Sequence, residues 1–250
     1  MFCPLCKNKV KNWLQYSSRP NVKCPHCKSA ERHRLTALFL NNKKNIYSNF
    51  LHIAPEKTLQ GLFKEKSKNY ICGDLNPKRY SDLNAIYLDA TDMPFGNNFI
   101  DCIYASHILE HIIEDRKAMS EMYRVLKEGG TLLAMVPQKM SLTKSDEDYT
   151  INTPEGRKQK YGQWDHVRYY GLDFSERLKE CGFYIEIYYI KGQEKYIEKM
   201  KYDEKHLIDI DPDSNTTVGL IPKNNRTKYN LSLLDILYVC TKKTKVNVNL

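Results

Sequence analysis

Two pairs of cysteines carry the clearest chemistry in the chain: Cys3-Pro4-Leu5-Cys6 and Cys24-Pro25-His26-Cys27, a C-x2-C-x17-C-x2-C arrangement. Each pair lets two sulfurs reach one ion, and two pairs close a tetrahedron around it. Bound Zn2+ would also supply folding free energy that a segment of about 30 residues lacks in its own core. Zinc held by Cys3, Cys6, Cys24 and Cys27 in a module over residues 1–30 is therefore expected, with iron in a rubredoxin-like site as the alternative. A closed four-sulfur site has no open position for catalysis, so the role is structural. Cys72, Cys102, Cys181 and Cys240 lie in apolar segments and read as core residues.

Acid–base groups gather elsewhere, in Gly162-Gln163-Trp164-Asp165-His166-Val167-Arg168-Tyr169-Tyr170-Gly171. His166 titrates near neutral pH and is the candidate general base. Arg168 can hold a phosphate or carboxylate through two parallel hydrogen bonds, and Gln163 and Tyr170 complete a candidate substrate set. The structural alternative is an ordered loop in which Arg168 pairs with a nearby acid. Upstream, His107 and His111 are four apart and can share a helical face. That geometry also suits a metal, but no third ligand is near in sequence. The reading is therefore a cofactor or substrate contact for His107 and a substrate contact for His111.

These residues need a scaffold. Ser29 is a plausible N-cap for a helix carrying Leu35, Leu38 and Phe39 and ending near Asn41-Asn42. Strands are predicted over 50–54, 70–74, 86–89, 100–105, 131–136, 184–190 and 236–240, with helices over 58–66, 115–126 and 174–181. Gly129-Gly130 is expected to stop the second of these helices. Alternation of this kind predicts an α/β fold: a Rossmann-like, mostly parallel sheet with helices on both faces. The two late strands suggest an antiparallel hairpin at the sheet edge. Residues 31–250 would form this domain. Polar residues 138–170, with Pro154 and Gly162, read as a lid or substrate loop, and 192–232 as an insertion before the last strand. Ligands of open α/β sheets lie beyond the carboxyl ends of strands, where Asp74, Asp89, Ser106 and His107 fall. Asp101 sits inside a strand and reads as structural. No G-x-G-x-x-G follows the first strand, which disfavours a dinucleotide oxidoreductase.

Several segments resemble the class I methyltransferases of the methyltransferase-11 type. Phe95-Gly96-Asn97-Asn98-Phe99-Ile100-Asp101-Cys102-Ile103, Ser106-His107-Ile108-Leu109-Glu110-His111, and Arg124-Val125-Leu126-Lys127-Glu128-Gly129-Gly130 match that family's motifs in order and spacing, and Val136-Pro137 closes the following strand. A cysteine-rich start with Glu31-Arg32-His33-Arg34, His52-Ile53-Ala54-Pro55-Glu56 and Gly162–Gly171 resembles a narrower bacterial subgroup. The resemblance implies S-adenosylmethionine as cofactor. It assigns Asp74, with Leu75, to the ribose and Asp89, with Ala90 and Thr91, to the adenine. Ser106 and His107 would stand opposite the sulfonium. Where the family has D-x-G-x-G, this chain has His52–Glu56. Contact is then expected from Ala54, Pro55 and Glu56, with Glu56 meeting the methionine ammonium.

Charge bears on the acceptor. The net charge is +9, and residues 1–50 hold ten Lys or Arg against one acid, 10 − 1 = +9, so the remainder sums to zero. A basic amino-terminal module suggests an anionic partner. The expected function is O-methylation of a small molecule or glycan precursor. The alternatives are an RNA methyltransferase that holds RNA through the basic module, and a non-catalytic zinc-ribbon protein that senses the cofactor. No N-P-P-Y-like motif is present, which weighs against methylation of base amino groups. With 41% apolar residues, no run near the roughly 20 residues of a membrane span and no signal-like start, a cytoplasmic protein is expected.

Overall fold

The computed structural model describes residues 2–16, 19–190, 197–208 and 236–244. The chain opens with strands β1 (Leu14–Tyr16) and β2 (Arg19–Lys23), paired antiparallel. Helix α1 (Glu31–Asn41) leads to β3 (Tyr47–Ile53), α2 (Lys57–Glu65), β4 (Ser67–Asp74) and the short β5 (Ile86–Tyr87). Then come β6 (Ile100–Ser106), α3 (Asp115–Val125) and β7 (Leu126–Met135). After β8 (Asp146–Glu147), α4 (Pro154–Tyr161) and β9 (Arg168–Tyr169) follow α5 (Phe174–Glu180), β10 (Phe183–Ile190), β11 (Glu204–Ile208) and β12 (Leu237–Lys242).

Eight of these strands form one sheet in the order β11-β10-β12-β7-β6-β3-β4-β5. The five from β7 to β5 run parallel, whereas β12 is antiparallel to both β7 and β10. Both faces of the parallel part are buried, as β6 shows residue by residue. Cys102 and Tyr104 pack with Leu35, Phe39, Leu59 and Phe63 of α1 and α2. Ile103 and Ala105 pack with Met119, Met122, Phe174 and Leu178 of α3 and α5. This period-2 alternation between two apolar layers is what a doubly covered sheet demands. No helix among the described residues is long and apolar enough to cross a membrane.

Several expectations need correction. The residue capping α1 is Ala30, and Ser29 instead turns its hydroxyl to the sulfurs of Cys3 and Cys27. Helix α3 ends at Val125, before the glycine pair, because Leu126 is already extended and begins β7. The late strands do pair antiparallel, but β12 slots between β10 and β7, and β11, from the 192–232 segment, lies parallel on β10 as the outer edge. The rest of that segment is largely outside the described residues. Residues 138–170 are more ordered than a loop. Thr153 caps α4 by accepting from the Gly156 amide, Pro154 takes its first turn, and Gly162 ends it at φ 78°.

The 138–170 segment is fastened by a guanidinium. Arg168 is fully buried and donates to Glu147 Oε2 at 2.8 Å, to the carbonyls of Leu109, Ile112 and Ile113, and to the Tyr149 hydroxyl. Arg177 bridges Asp115 and Glu147, and the Tyr170 hydroxyl donates to Asp115 Oδ2 at 2.8 Å. Burial alone would push Glu147 up, but the hydrogen bonds from Arg177 and Arg168 bring it down to about 2. Arg168 and Tyr170 are both buried and engaged by the protein, so Arg168 is not open to the substrate anion expected of it, nor Tyr170 to the substrate contact expected of it.

Removing one member of such a network leaves its partners buried and unpaired, at a cost of about 3–5 kcal/mol. Arg168→Met is expected to lower the melting temperature by many degrees in a thermal unfolding scan. A variant melting with the parent protein would show that the network is dispensable.

Candidate functional site

Chain order in the sheet reverses between β3 and β6: from β3 it proceeds outward through β4 and β5, then returns to β6 and continues through β7. Ligands of such sheets bind at this switch point, beyond the carboxyl ends of the two strands. Here both ends are conformationally unusual. Ala54 follows β3 at φ 50° and His107 follows β6 at φ 55°, each in the left-handed region that non-glycine residues seldom occupy. Backbone bonds hold both: Ala54 N–H donates to Gly73 O and His107 N–H to Met135 O, each at 2.9 Å.

Glu56, two residues beyond Ala54, is held from another direction. Its Oε1 accepts from Arg32 and, at 2.7 Å, from His33 Nε2, both in the first turn of α1. Its Oε2 is buried with no hydrogen-bond partner, as is the Ser106 hydroxyl at the end of β6. Burial opposes ionisation of Glu56, but His33 and Arg32 outweigh it and hold the carboxyl far below its usual range. The backbone amide of Glu56 donates to His52 Nε2 at 3.2 Å, which fixes the neutral tautomer with its proton on Nδ1, facing the Tyr70 hydroxyl at 2.9 Å. Arg32, His33 and His52 were not singled out from sequence. The charged Glu31–Arg34 run at a helix start, next to the cysteines, was their signal.

The remaining strand-end candidates line the same edge. Asp74 ends β4 and uses Oδ1 to accept its own turn's Asn76 amide at 2.7 Å. Leu75 beside it is 60% exposed, an apolar side chain presented to a ligand or to water. Asp89 Oδ1 accepts from the amide and hydroxyl of Thr91, both at 2.8 Å, while Ala90 is buried. Gln163 is exposed and donates to Asp165.

Beyond β6 the two histidines do not share an α-helical face. A tight 3-10 turn over Leu109–His111 follows the left-handed His107 and wraps both around Glu110. His107 Nδ1 lies 3.5 Å and His111 Nε2 3.9 Å from Glu110 Oε1. The Val167 amide donates to the Glu110 carbonyl at 2.9 Å, drawing the 138–170 segment over this edge. His166 thereby reaches His111, with ring centroids 4.7 Å apart, and His111 Nδ1 stands 3.3 Å from Asp165. Glu110 is fully buried; burial opposes its charge, but His107 and His111 hold its pKa below the usual value. Burial lowers the pKa of His166. Glu110 was missed as a functional residue because nothing in its spacing distinguishes it from a helix acid.

At the amino terminus Cys3 Sγ lies 3.7 Å from Cys27 Sγ, and Cys6 Sγ 3.8 Å from Cys24 Sγ. All four thiols are free of disulfides and mutually within 4.8 Å. Metal–sulfur bonds of about 2.3 Å place tetrahedral sulfurs about 3.8 Å apart, so the spacing fits the ion inferred from sequence. Lys7 and Lys28, each four residues past the first cysteine of a pair, turn back at φ 57° and 62° and donate to that cysteine's carbonyl.

Residues 51–134 match a protein family described as a methyltransferase domain. The chain is 35% identical over 74 residues to the ubiquinone/menaquinone biosynthesis C-methyltransferase UbiE of Edwardsiella ictaluri, a match covering 28% of this chain and 30% of that protein. Over 56 residues it is 43% identical to the demethylmenaquinone methyltransferase of Paenarthrobacter aurescens, covering 22% of each. The chain thus spans less than a third of the curated relatives it matches. In fold it is similar to a SAM-dependent methyltransferase from Archaeoglobus fulgidus, with a TM-score of 0.53 at 18% identity over 84% of this chain and 92% of that one.

His52 couples this site to pH. Burial lowers its pKa from 6.5 to about 3, so between these values the unfolded chain binds the proton and the folded one does not. The contribution of neutral His52 to stability is complete above pH 6.5 and is lost as pH falls towards 3, by a few kcal/mol in the limit. Melting temperatures between pH 7 and 4.5 should fall, and less steeply in His52→Gln. Equal slopes in both proteins would assign the acid sensitivity elsewhere.

Proposed function

We propose that this chain, whose residues 51–134 match a methyltransferase domain family, is a class I S-adenosylmethionine-dependent methyltransferase that methylates an ionisable hydroxyl on a small molecule or glycan precursor. The observation that carries the reading is the paired strand ends at the switch point. Ala54 and His107 bend the chain away there, and the buried, partnerless Glu56 Oε2 and Ser106 hydroxyl remain beside them. Such orphan atoms suit a ligand that brings its own donors. Glu56 would take the ammonium of the methionine portion, Asp74 with Leu75 the ribose, and Asp89 with Ala90 and Thr91 the adenine, leaving Ser106 and His107 by the sulfonium. When bound, S-adenosylmethionine supplies the electrophilic methyl group.

The acceptor side is the cluster of His107, Glu110, His111 and His166, closed over by 138–170, the segment proposed as lid within a 31–250 catalytic domain. Gln163 and exposed Trp164 would meet the acceptor at its rim. His166 Nδ1 is buried without a partner, a lone pair that can take a proton or hold an ion. Either use ionises an acceptor hydroxyl, which favours oxygen as the methylated atom. The C-methylation named for the relatives does not decide this, because 138–170 lies outside the matched family segment.

Within the basic first 50 residues, Arg19 pairs with Glu31, Arg32 with Glu56, and Arg34 is fully buried. The arginines best suited to phosphate are thereby engaged internally, which favours a small acceptor over RNA. The test is transfer of labelled methyl from S-adenosylmethionine into the small-molecule fraction of a cell extract, compared with its RNA. Donor and demethylated product should bind in calorimetry, Asp74→Ala should weaken both about tenfold, and His166→Ala should cut turnover by about two orders of magnitude with donor affinity kept. No affinity for donor or product would overturn the reading.

The four cysteines are proposed to hold structural zinc. Purified protein should retain one zinc per chain at this site, and Cys24→Ser should lose it while lowering thermal stability. Stoichiometric metal in a variant lacking all four cysteines would refute that assignment.

A further inference from the structure

We propose that Glu110, His111 and His166 form a second metal site, taking a divalent transition ion through one carboxylate and two imidazoles. Their ligand atoms lie within 4.8 Å of one another. Both Glu110 carboxylate oxygens are buried without a hydrogen-bond partner, and so is His166 Nδ1. A buried carboxylate left this way is costly, and the nearby imidazole nitrogens, at 3.5 and 3.9 Å, are too far for good hydrogen bonds. A cation among them satisfies all these groups at once, after sub-ångström to ångström movements to the bond lengths of about 2.0–2.2 Å that such ligands make.

The tautomers agree with this assignment. Asp165 stands 3.3 Å from His111 Nδ1, so the proton rests there and Nε2, the nitrogen facing Glu110, is free to coordinate. A carboxylate behind a metal-bound histidine is a common support for such ligands. The Val167 amide on the Glu110 carbonyl holds the two segments together, so the third ligand arrives only when 138–170 is docked. Nitrogen and oxygen ligands distinguish this centre from the four-thiolate one, which prefers softer ions.

Three protein ligands leave an open position for substrate. The role of the ion rests on the methyl-transfer reading: an acceptor hydroxyl bound there loses its proton to solvent, and its oxygen forms the new bond to the methyl carbon as the carbon–sulfur bond breaks and the electron pair departs with sulfur. His166 then serves as ligand rather than free base.

Cobalt(II) titration of zinc-loaded protein, dialysed against a chelator until one zinc per chain remains, tests the site. One further equivalent should bind, with d–d absorption of nitrogen and oxygen ligation and no sulfur charge-transfer band. Glu110→Gln and His166→Ala should each weaken uptake at least about tenfold, and Asp165→Asn about 10–100-fold. The half-buried His166 provides a variant expected to fold should the fully buried Glu110 not tolerate change, with binding of S-adenosylhomocysteine as the control. Absence of cobalt uptake in protein that binds S-adenosylhomocysteine overturns the site, as does uptake unaffected by either ligand substitution. Cobalt uptake without affinity for donor or product leaves the metal site standing and removes its role in methyl transfer.

Discussion

The structure depends on two adjacent parallel strands that both end in a left-handed residue. An open sheet whose order reverses between β3 and β6 leaves a crevice only if the chain turns sharply away at both carboxyl ends. Ala54 and His107 make those turns at a conformational cost of order 1–3 kcal/mol each, offset by backbone bonds to Gly73 and Met135. Glycine would adopt the same angles more freely, at the expense of rigidity in the loop. Alanine and histidine hold one conformation, and the following residues, Glu56 on one side and Glu110 on the other, are aimed by it.

A second constraint operates from the far side of the crevice. Arg168 has no route to solvent, and its donors are spent on three carbonyls after β6, on Glu147 and on the Tyr149 hydroxyl. A cation placed this way makes the 138–170 segment part of the architecture, so that His166 is delivered to Glu110 by a rigid anchor two residues away. The same residue therefore explains why a substrate anion is not needed to account for an arginine in this motif.

Local spacing made the cysteine site and most strands legible. The C-x2-C pairs require only short-range turns, and the alternation in Ile100–Ala105 reports two apolar layers directly. Thr153-Pro154 and Gly162 also announced a helix, but a polar composition concealed it. Other features have no local signature. The place of β12 between β10 and β7 is decided by tertiary packing, and Arg168 and Tyr170 look like surface ligands until Asp115 and Glu147 are brought to them. The histidines four apart suggested one helical face. The left-handed turn at His107 and the 3-10 turn after it arrange them differently and make Glu110, between them, the centre of the group.

The cysteine module bears on the carboxyl end of β3 through α1. The helix is pinned at both ends: Arg34 stacks over Trp13 at 4.3 Å and donates to the Ser29 carbonyl, while Asn41 donates to the Pro4 carbonyl. Its first turn thereby presents Arg32 and His33 to Glu56. The Ala30 amide donates to His33 Nδ1 at 3.0 Å, so neutral His33 carries its proton on Nε2 and gives it to Glu56; burial lowers its pKa and favours that neutral form. Glu56 is then balanced by a single cation, Arg32, on Oε1, while Oε2 keeps its acceptor capacity. A ligand ammonium can be received at that oxygen without displacing either helix residue. The order imposed at four cysteines thus reaches, through one helix, the charge balance at the end of β3.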